Sequence, residues 1–227
     1  MNEYKQLISK KWTERAPTFD ADHATENLNS WRLTLEELIG KKGDGSVLDV
    51  GTGTGFLANM IAELGYQSTG IDFAEGMLEL GRENAKKRGT AVDFVIGDGE
   101  QLPFADNSFD VVVNSRVLWL LLDPVKAIAE WKRVLKPGGV LLSFIRIISP
   151  EDIERMKRES RQNGPKNGVC CPPEIEAAMP LRDAPLDRHL IAYQDAGFYA
   201  PEAILLRRDL SDQPELQPWF ALKGVKV

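Results

Sequence analysis

Between residue 46 and about residue 146 the chain alternates short apolar runs with stretches whose apolar residues recur every three or four positions. The short runs are Ser46–Val50, Ser68–Ile71, Val92–Ile96, Asp110–Asn114 and Val140–Ile145, all rich in Val and Ile. They are nearly continuous in apolar character, the pattern of strands buried on both faces. The stretches between them, Phe56–Leu64, Gly76–Arg88 and Pro124–Leu135, read as helices. Pro124–Leu135 carries the fullest signature. Asp123 can accept from the free first-turn amides, Pro124 suits the first helical position, and Ile128, Trp131 and Leu135 share one face. Lys136-Pro137-Gly138-Gly139 then stops the helix and turns into the next strand. Strand, helix, strand in repetition predicts right-handed crossovers and a parallel sheet, an α/β fold.

The flanks follow other patterns. Residues 1–43 read as a polar helical cover, in which Trp31, Leu35 and Leu38 take the i, i+4, i+7 spacing of one helix face and Gly40 with Lys41 and Lys42 ends it. Residues 147–187 hold six prolines, at 150, 165, 172, 173, 180 and 185, together with the charge-rich Glu151–Arg161. An insertion of that length with no strand pattern suits a lid over a site. After it, Leu186–Ala196 reads as a helix ending at Gly197, and Ala203–Leu206 and Trp219–Val227 as final strands. The expected organisation is one domain over 1–227: a cover at 1–43, a core at 44–146, the lid at 147–187, and a C-terminal helix and strands at 188–227.

Composition narrows the partners. A net charge of −6 disfavours duplex nucleic acid and anionic membranes, which both demand a basic face. The longest purely apolar run, Val117–Leu122, has six residues, where a membrane helix needs about 20. The first dozen residues are charged and show no signal-peptide core. Two adjacent cysteines, Cys170 and Cys171, cannot build a disulfide framework, and with no histidine nearby they fall short of a four-ligand zinc site. A cytoplasmic protein without a metal is the expectation.

The chemistry concentrates in Val47-Leu48-Asp49-Val50-Gly51-Thr52-Gly53-Thr54-Gly55-Phe56, a buried strand entering a glycine-rich turn that opens a helix. Open α/β sheets bind ligands at this edge. The dinucleotide fingerprint is GxGxxG, but here the third glycine comes one residue early and Phe56 takes its place; the lysine of a phosphate-gripping loop is also missing. Asp72, in Gly70-Ile71-Asp72-Phe73, closes the second strand 21 residues after Gly51. A carboxylate there can accept from both hydroxyls of a ribose, in NAD or in S-adenosylmethionine. After the third strand, Asp98 in Gly97-Asp98-Gly99-Glu100 can accept from an adenine amino group.

DVGTGTG, ID, GDGEQLPF, FDVVVNS and WKRVLKPGG, in this order over about residues 46–146, resemble the class I S-adenosylmethionine-dependent methyltransferases, and among them the small-molecule branch of ubiquinone/menaquinone-biosynthesis type. The resemblance implies a Rossmann-like, doubly wound, seven-stranded sheet with its last strand antiparallel. It implies that Asp49, Gly51, Thr52, Gly53 and Gly55 hold the methionine part of the cofactor, and that Asp72 binds the ribose. Phe73 would flank the adenine, with Asp98 and Gly99 at its edge, and Met77 and Glu100 would also bind the cofactor. Asn114, Ser115 and Arg116 would lie near the transferable methyl, and the acceptor would be a small molecule. Two other functions fit the same nucleoside pocket: a nicotinamide-dependent oxidoreductase, and a non-catalytic binder of S-adenosylmethionine.

Each candidate has a plainer reading beside it. Arg116 could grip a substrate carboxylate or pair with an acid of the N-terminal segment. Trp12 and Phe19 could cover the cofactor or simply dock the leading helices. His23 is a candidate base, although Asp20 and Asp22 beside it favour its charged form. His189 reads as a surface residue of the late helix, and Glu151–Arg161 as a solvated helix.

Overall fold

The runs dense in Val, Ile and Leu become strands of one sheet whose two faces are covered by helices. The computed structural model describes residues 3–22, 25–41, 43–147, 149, 151–155, 158, 173–211 and 218–227. In chain order the elements are α1 (Glu3–Asp22), α2 (Leu28–Ile39), β1 (Ser46–Val50), α3 (Phe56–Glu63), β2 (Gln67–Asp72), α4 (Glu75–Arg88), β3 (Val92–Ile96) and β4 (Phe109–Ser115). They continue with α5 (Pro124–Val134), β5 (Leu135–Arg146), α6 (Pro173–Ala177), α7 (Leu186–Asp195), β6 (Glu202–Leu206) and β7 (Trp219–Val225). The sheet has seven strands in the order β3-β2-β1-β4-β5-β7-β6. β7 runs antiparallel to both its neighbours, while the pairings among β1 to β5 are parallel. The order reverses between β1 and β4, so the chain leaves those two strand ends in opposite directions and opens a crevice there.

Alternation along the strands sends Leu48, Val50, Val112 and Leu141 to one face, under α5 and α7, and Val47, Val111, Val113, Leu142 and Phe144 to the other, under α2 and α3. On the second face Trp31 is fully buried, edge-on to Phe56, Phe144 and Trp219 with centroids 5.6, 5.2 and 5.3 Å away. Its indole N–H donates to Glu26 Oε2 at 2.7 Å, so no buried donor is left over.

Asp123 caps α5 by accepting from the Lys126 N–H at 3.0 Å, and Ile128 and Trp131 bury completely. Two expectations need correction. Lys136–Gly139 does not stand between helix and strand. Leu135 already pairs with Phe109, and the next pair is Val140 with Val111, so the four residues bulge out within β5. The Gly138 N–H donates to Lys226 O at 2.8 Å, which ties the bulge down. His189 is not a surface residue but 5% exposed, because it lies on the face of α7, with Ala192 and Tyr193, that packs toward the core. Its Nδ1 donates to Pro185 O at 3.0 Å, and burial pushes its pKa down.

α1 packs against α4, where Gly76 leaves room for Thr13. Past Pro17 its last turn is anchored by Asp20, which accepts from Thr54 Oγ1 at 2.6 Å and Asn84 Nδ2 at 2.8 Å. The leading helix is thereby pinned to the glycine-rich turn. From the proline-rich stretch, Ile175 and Met179 form a small apolar cluster with Ile8 of α1. Of Glu151–Arg161, the described residues 151–155 are helical.

Candidate active site

At the C-terminal edge of β1 the chain turns through three left-handed glycines, with φ of +66° at Gly51, +55° at Gly53 and +78° at Gly55. A side chain at Gly53 would have only the Phe19 ring in reach, at 4.0 Å, so this position opens into free space. That space is a cavity of about 340 Å³. Asp49, Gly51, Thr52 and Gly53 line it from the first turn; Asp72, Phe73 and Met77 from the second; Asp98, Gly99 and Glu100 from the third; and Ser115 and Arg116 from the end of β4. Ile8, Trp12 and Phe19 of α1 and the single helical turn Leu118–Leu120 complete the wall. Trp12 and Phe19, 5.9 Å apart edge-on, therefore both face the cavity and dock α1 onto Ala74 and Met77.

Two residues expected at the cofactor lie off the cavity. Gly55 serves packing: a Cβ there would come 2.8 Å from the Phe94 ring. Asn114 is fully buried inside the sheet and donates from Nδ2 to Ser143 Oγ at 2.7 Å. The strand alternation that turns Asn114 inward leaves Ser115 facing the cavity. His23, Cys170 and Cys171 lie outside the described residues, and among those described no cluster of His, Cys, Asp or Glu is placed to hold a metal.

The carboxylates are held by backbone. Asp72 accepts from the Gly53 N–H through Oδ2 and from the Ala74 N–H through Oδ1, both at 2.9 Å, which fixes its carboxylate plane beside the turn. Burial raises its pKa against the pull of these N–H groups. Asp49, 2% exposed, is pushed up to about 7 by burial, although the Thr52 hydroxyl, donating at 2.7 Å, and the Ala58 N–H favour its charged form. Asp98 and Glu100 share Lys5, whose Nζ lies 2.7 Å from Asp98 Oδ2 and 2.7 Å from Glu100 Oε2. Trp131 steadies their loop by donating to Gly99 O at 2.8 Å.

Arg116 lines the cavity from a left-handed backbone, φ +60°, without being a glycine. Its N–H donates to Phe144 O at 3.1 Å, its Nη2 pairs with Glu26 Oε1, and its guanidinium lies 4.7 Å from the centre of the Trp219 ring. The pairing with an N-terminal acid is thus present, and the same side chain also lines the cavity. Burial lowers its pKa and Glu26 raises it. Lys5, Glu26 and Trp219 carried no signal in the sequence. Lys5 is 93 residues from Asp98 and Glu26 is 90 from Arg116, and no local pattern announces such pairs. Trp119 and Leu120–Leu122 were visible only as part of an apolar run.

These residues suit a positively charged nucleoside with a diol. The cavity has an open glycine, a backbone-held carboxylate at the second strand, acids at the third, and the buried hydroxyl of Ser115, which has no partner among the described residues. Residues 48–143 match the family described as "Methyltransferase domain". The demethylmenaquinone methyltransferase of Renibacterium salmoninarum is 37% identical over 138 residues, 60% of this chain and 56% of that protein. An S-adenosylmethionine-dependent methyltransferase of Thermotoga maritima superposes with a TM-score of 0.68 at 21% identity, over 97% of this chain and 100% of that one. The phosphoethanolamine N-methyltransferase 2 of Haemonchus contortus, in complex with S-adenosylmethionine, gives 0.60 at 20% identity, over 87% of this chain and 52% of that one. The two structural likenesses are likenesses of fold. Residues 48–143 are a methyltransferase domain, and the chain around them has the fold of S-adenosylmethionine-dependent methyltransferases. Its curated relatives include enzymes of ubiquinone/menaquinone-biosynthesis type, and it spans about half their length, 56% and 53% in two cases.

Proposed function

We propose that the protein transfers a methyl group from S-adenosylmethionine to a small-molecule acceptor held between the C-terminal edge of the sheet and a cover made by α1, on which Ile175 and Met179 pack. The observation that carries this reading is the convergence of four strand ends on one cavity, with Gly53 open beside a backbone-held Asp72. Asp72 suits the ribose hydroxyls, Asp98 and Glu100 the adenine end, and Asp49 with the Gly51–Gly53 turn the methionine end. The cofactor supplies a sulfonium methyl, displaced in line with loss of charge from sulfur. The protein's part is alignment and exclusion of water, and orientation alone can lower a barrier by about 7–11 kcal/mol.

A nicotinamide dinucleotide fits less well. Phe56 stands where its pyrophosphate turn requires the third glycine, and it is fixed there edge-on to Trp31. A net charge of −6 argues against nucleic acid as acceptor, and a cytoplasmic setting suits two adjacent cysteines outside any disulfide framework. No helix among the described residues is long and apolar enough to cross a membrane.

Calorimetry with S-adenosylmethionine and with NAD, followed by mass spectrometry of a metabolite extract incubated with methyl-labelled cofactor, tests the proposal. Saturable S-adenosylmethionine binding and a labelled small product are expected. Tighter binding of NAD would overturn it. Binding without any labelled product would favour the non-catalytic reading.

A further inference from the structure

We infer that the acceptor is an apolar molecule bearing one carboxylate, and that Ser115 and Arg116 at the end of β4 form its carboxylate subsite. The inference rests on the methyl-transfer reading above and adds the class of acceptor.

Position comes first. Val117 packs against Gly51 so closely that a Cβ on that glycine would lie 2.5 Å from Val117 Cγ2. The turn Ser115-Arg116-Val117 therefore sits against the first glycine of the β1 turn, at the methionine end of the cavity and away from Asp98 and Glu100. That is the end at which an acceptor must meet the methyl.

The donors there are only partly used. Glu26, its side chain 7% accessible, gives Oε2 to the Trp31 indole and Oε1 to Arg116 Nη2. Among the described residues no other group accepts from the Arg116 guanidinium, so Nε and Nη1 keep their hydrogens available. About 30% of the Arg116 side chain is accessible, and it lines the cavity. The guanidinium lies over the Trp219 ring and follows a left-handed backbone that a β-strand end does not ordinarily adopt. One residue earlier, Ser115 Oγ is buried in the cavity wall with no partner among the described residues. A buried hydroxyl in that condition costs free energy unless a ligand supplies the missing bond. A fork of guanidinium donors beside a hydroxyl matches the two oxygens of a carboxylate.

Much of the cavity wall is apolar, with Ile8 and Trp12 from α1 and Trp119, Leu120 and Leu121 from the segment after Arg116. A polar acceptor body would lose hydration against these walls without replacement, whereas an aromatic or aliphatic one gains by burial. At the third strand Asp98 and Glu100 already share the Lys5 ammonium and offer a carboxylate no donor of their own.

The experiment uses the full chain saturated with S-adenosylhomocysteine, the demethylated cofactor. Into it are titrated benzoate, phenylacetate, 2-naphthoate and octanoate, each paired with its primary amide, and phenyl phosphate. At least one acid is expected to bind, with its amide at least tenfold weaker. Arg116→Gln with Glu26→Gln removes both charges and leaves neither one buried alone; in it the acid's advantage should fall below twofold while the amide is unchanged. Ser115→Ala leaves the ion pair in place and should weaken the acid about threefold. The inference is overturned if no acid outbinds its amide, if the preference survives the double variant, or if phenyl phosphate binds best. Absence of S-adenosylhomocysteine binding in the first titration would instead bring down the methyl-transfer reading itself.

Discussion

The two ends of the cavity are built by different means. The end proposed to take the adenosyl group is assembled from turns that each directly follow a strand, which offer backbone N–H groups and carboxylates held in place, as Gly53 and Ala74 hold Asp72. The end proposed to take the acceptor is assembled from far-apart segments: Glu26 between the first two helices, Arg116 after β4, and Trp219 at the start of β7. The first kind of site is fixed by local geometry and tolerates change elsewhere. The second kind depends on packing and should fail when the packing fails. One family can therefore keep a cofactor and vary its substrates.

The largest test of this contrast is Trp31→Ala. Trp31 is fully buried among three aromatic rings and holds Glu26, so its removal should cost about 3–5 kcal/mol of folding stability, read by denaturant titration. Below its midpoint the variant should still bind S-adenosylmethionine within about threefold of the parent. Equal loss at both ends would erase the distinction. Asp72→Ala is the converse. It should weaken S-adenosylmethionine by roughly 1.5–3 kcal/mol in calorimetry, because charge-assisted bonds to the ribose are lost and the Gly53 turn is freed. Unchanged affinity would refute the placement of the ribose.

The same contrast explains what could be read from the chain. β1 and β3 fall on the residues that the apolar runs predict, and α5 starts where Asp123 and Pro124 say it should, because those signals are local. The cavity was legible as far as it consists of turns: the Gly51–Gly53 turn, Asp72 and Asp98 all line it. Asn114 lies off the cavity because a motif fixes which residues occupy a strand end, whereas the pleat decides which of two neighbours faces the cavity. Periodicity could have placed His189, three and four residues before Ala192 and Tyr193 on one helix face. Nothing local could have found Lys5, which meets its two acids only after α1 folds across the sheet edge.

A glycine pair sharpens the contrast at lower cost. Gly53 and Gly89 are both left-handed, with φ of +55° and +69°, and neither has a close neighbour where a Cβ would go. Alanine at either should destabilise the fold similarly, by about 1–2 kcal/mol, from backbone strain alone. Gly53 faces the cavity and Gly89 caps α4, so only Gly53→Ala should also weaken S-adenosylmethionine, by tenfold or more. Matching melts with divergent affinities would isolate the ligand's claim on that position. Parallel affinities would reduce the turn to a structural feature.

The smallest effect comes from Asp49, whose carboxyl is pushed up to about 7, mainly by burial and further by the charge of Asp72. The folded value lies above the unfolded one, so the empty protein holds this proton more tightly than the unfolded chain. That contribution to stability is complete below about pH 4 and is lost as pH rises through about 7. Ligand binding runs the other way. The cofactor's ammonium group at the methionine end favours the carboxylate, so affinity should rise about tenfold between pH 6 and pH 8 and then level off. Asp49→Asn cannot titrate, and should bind weakly with little change over the same range. A slope that persists in Asp49→Asn would shift the titration to Asp72, whose pKa burial also raises, and would move the ammonium toward the second strand.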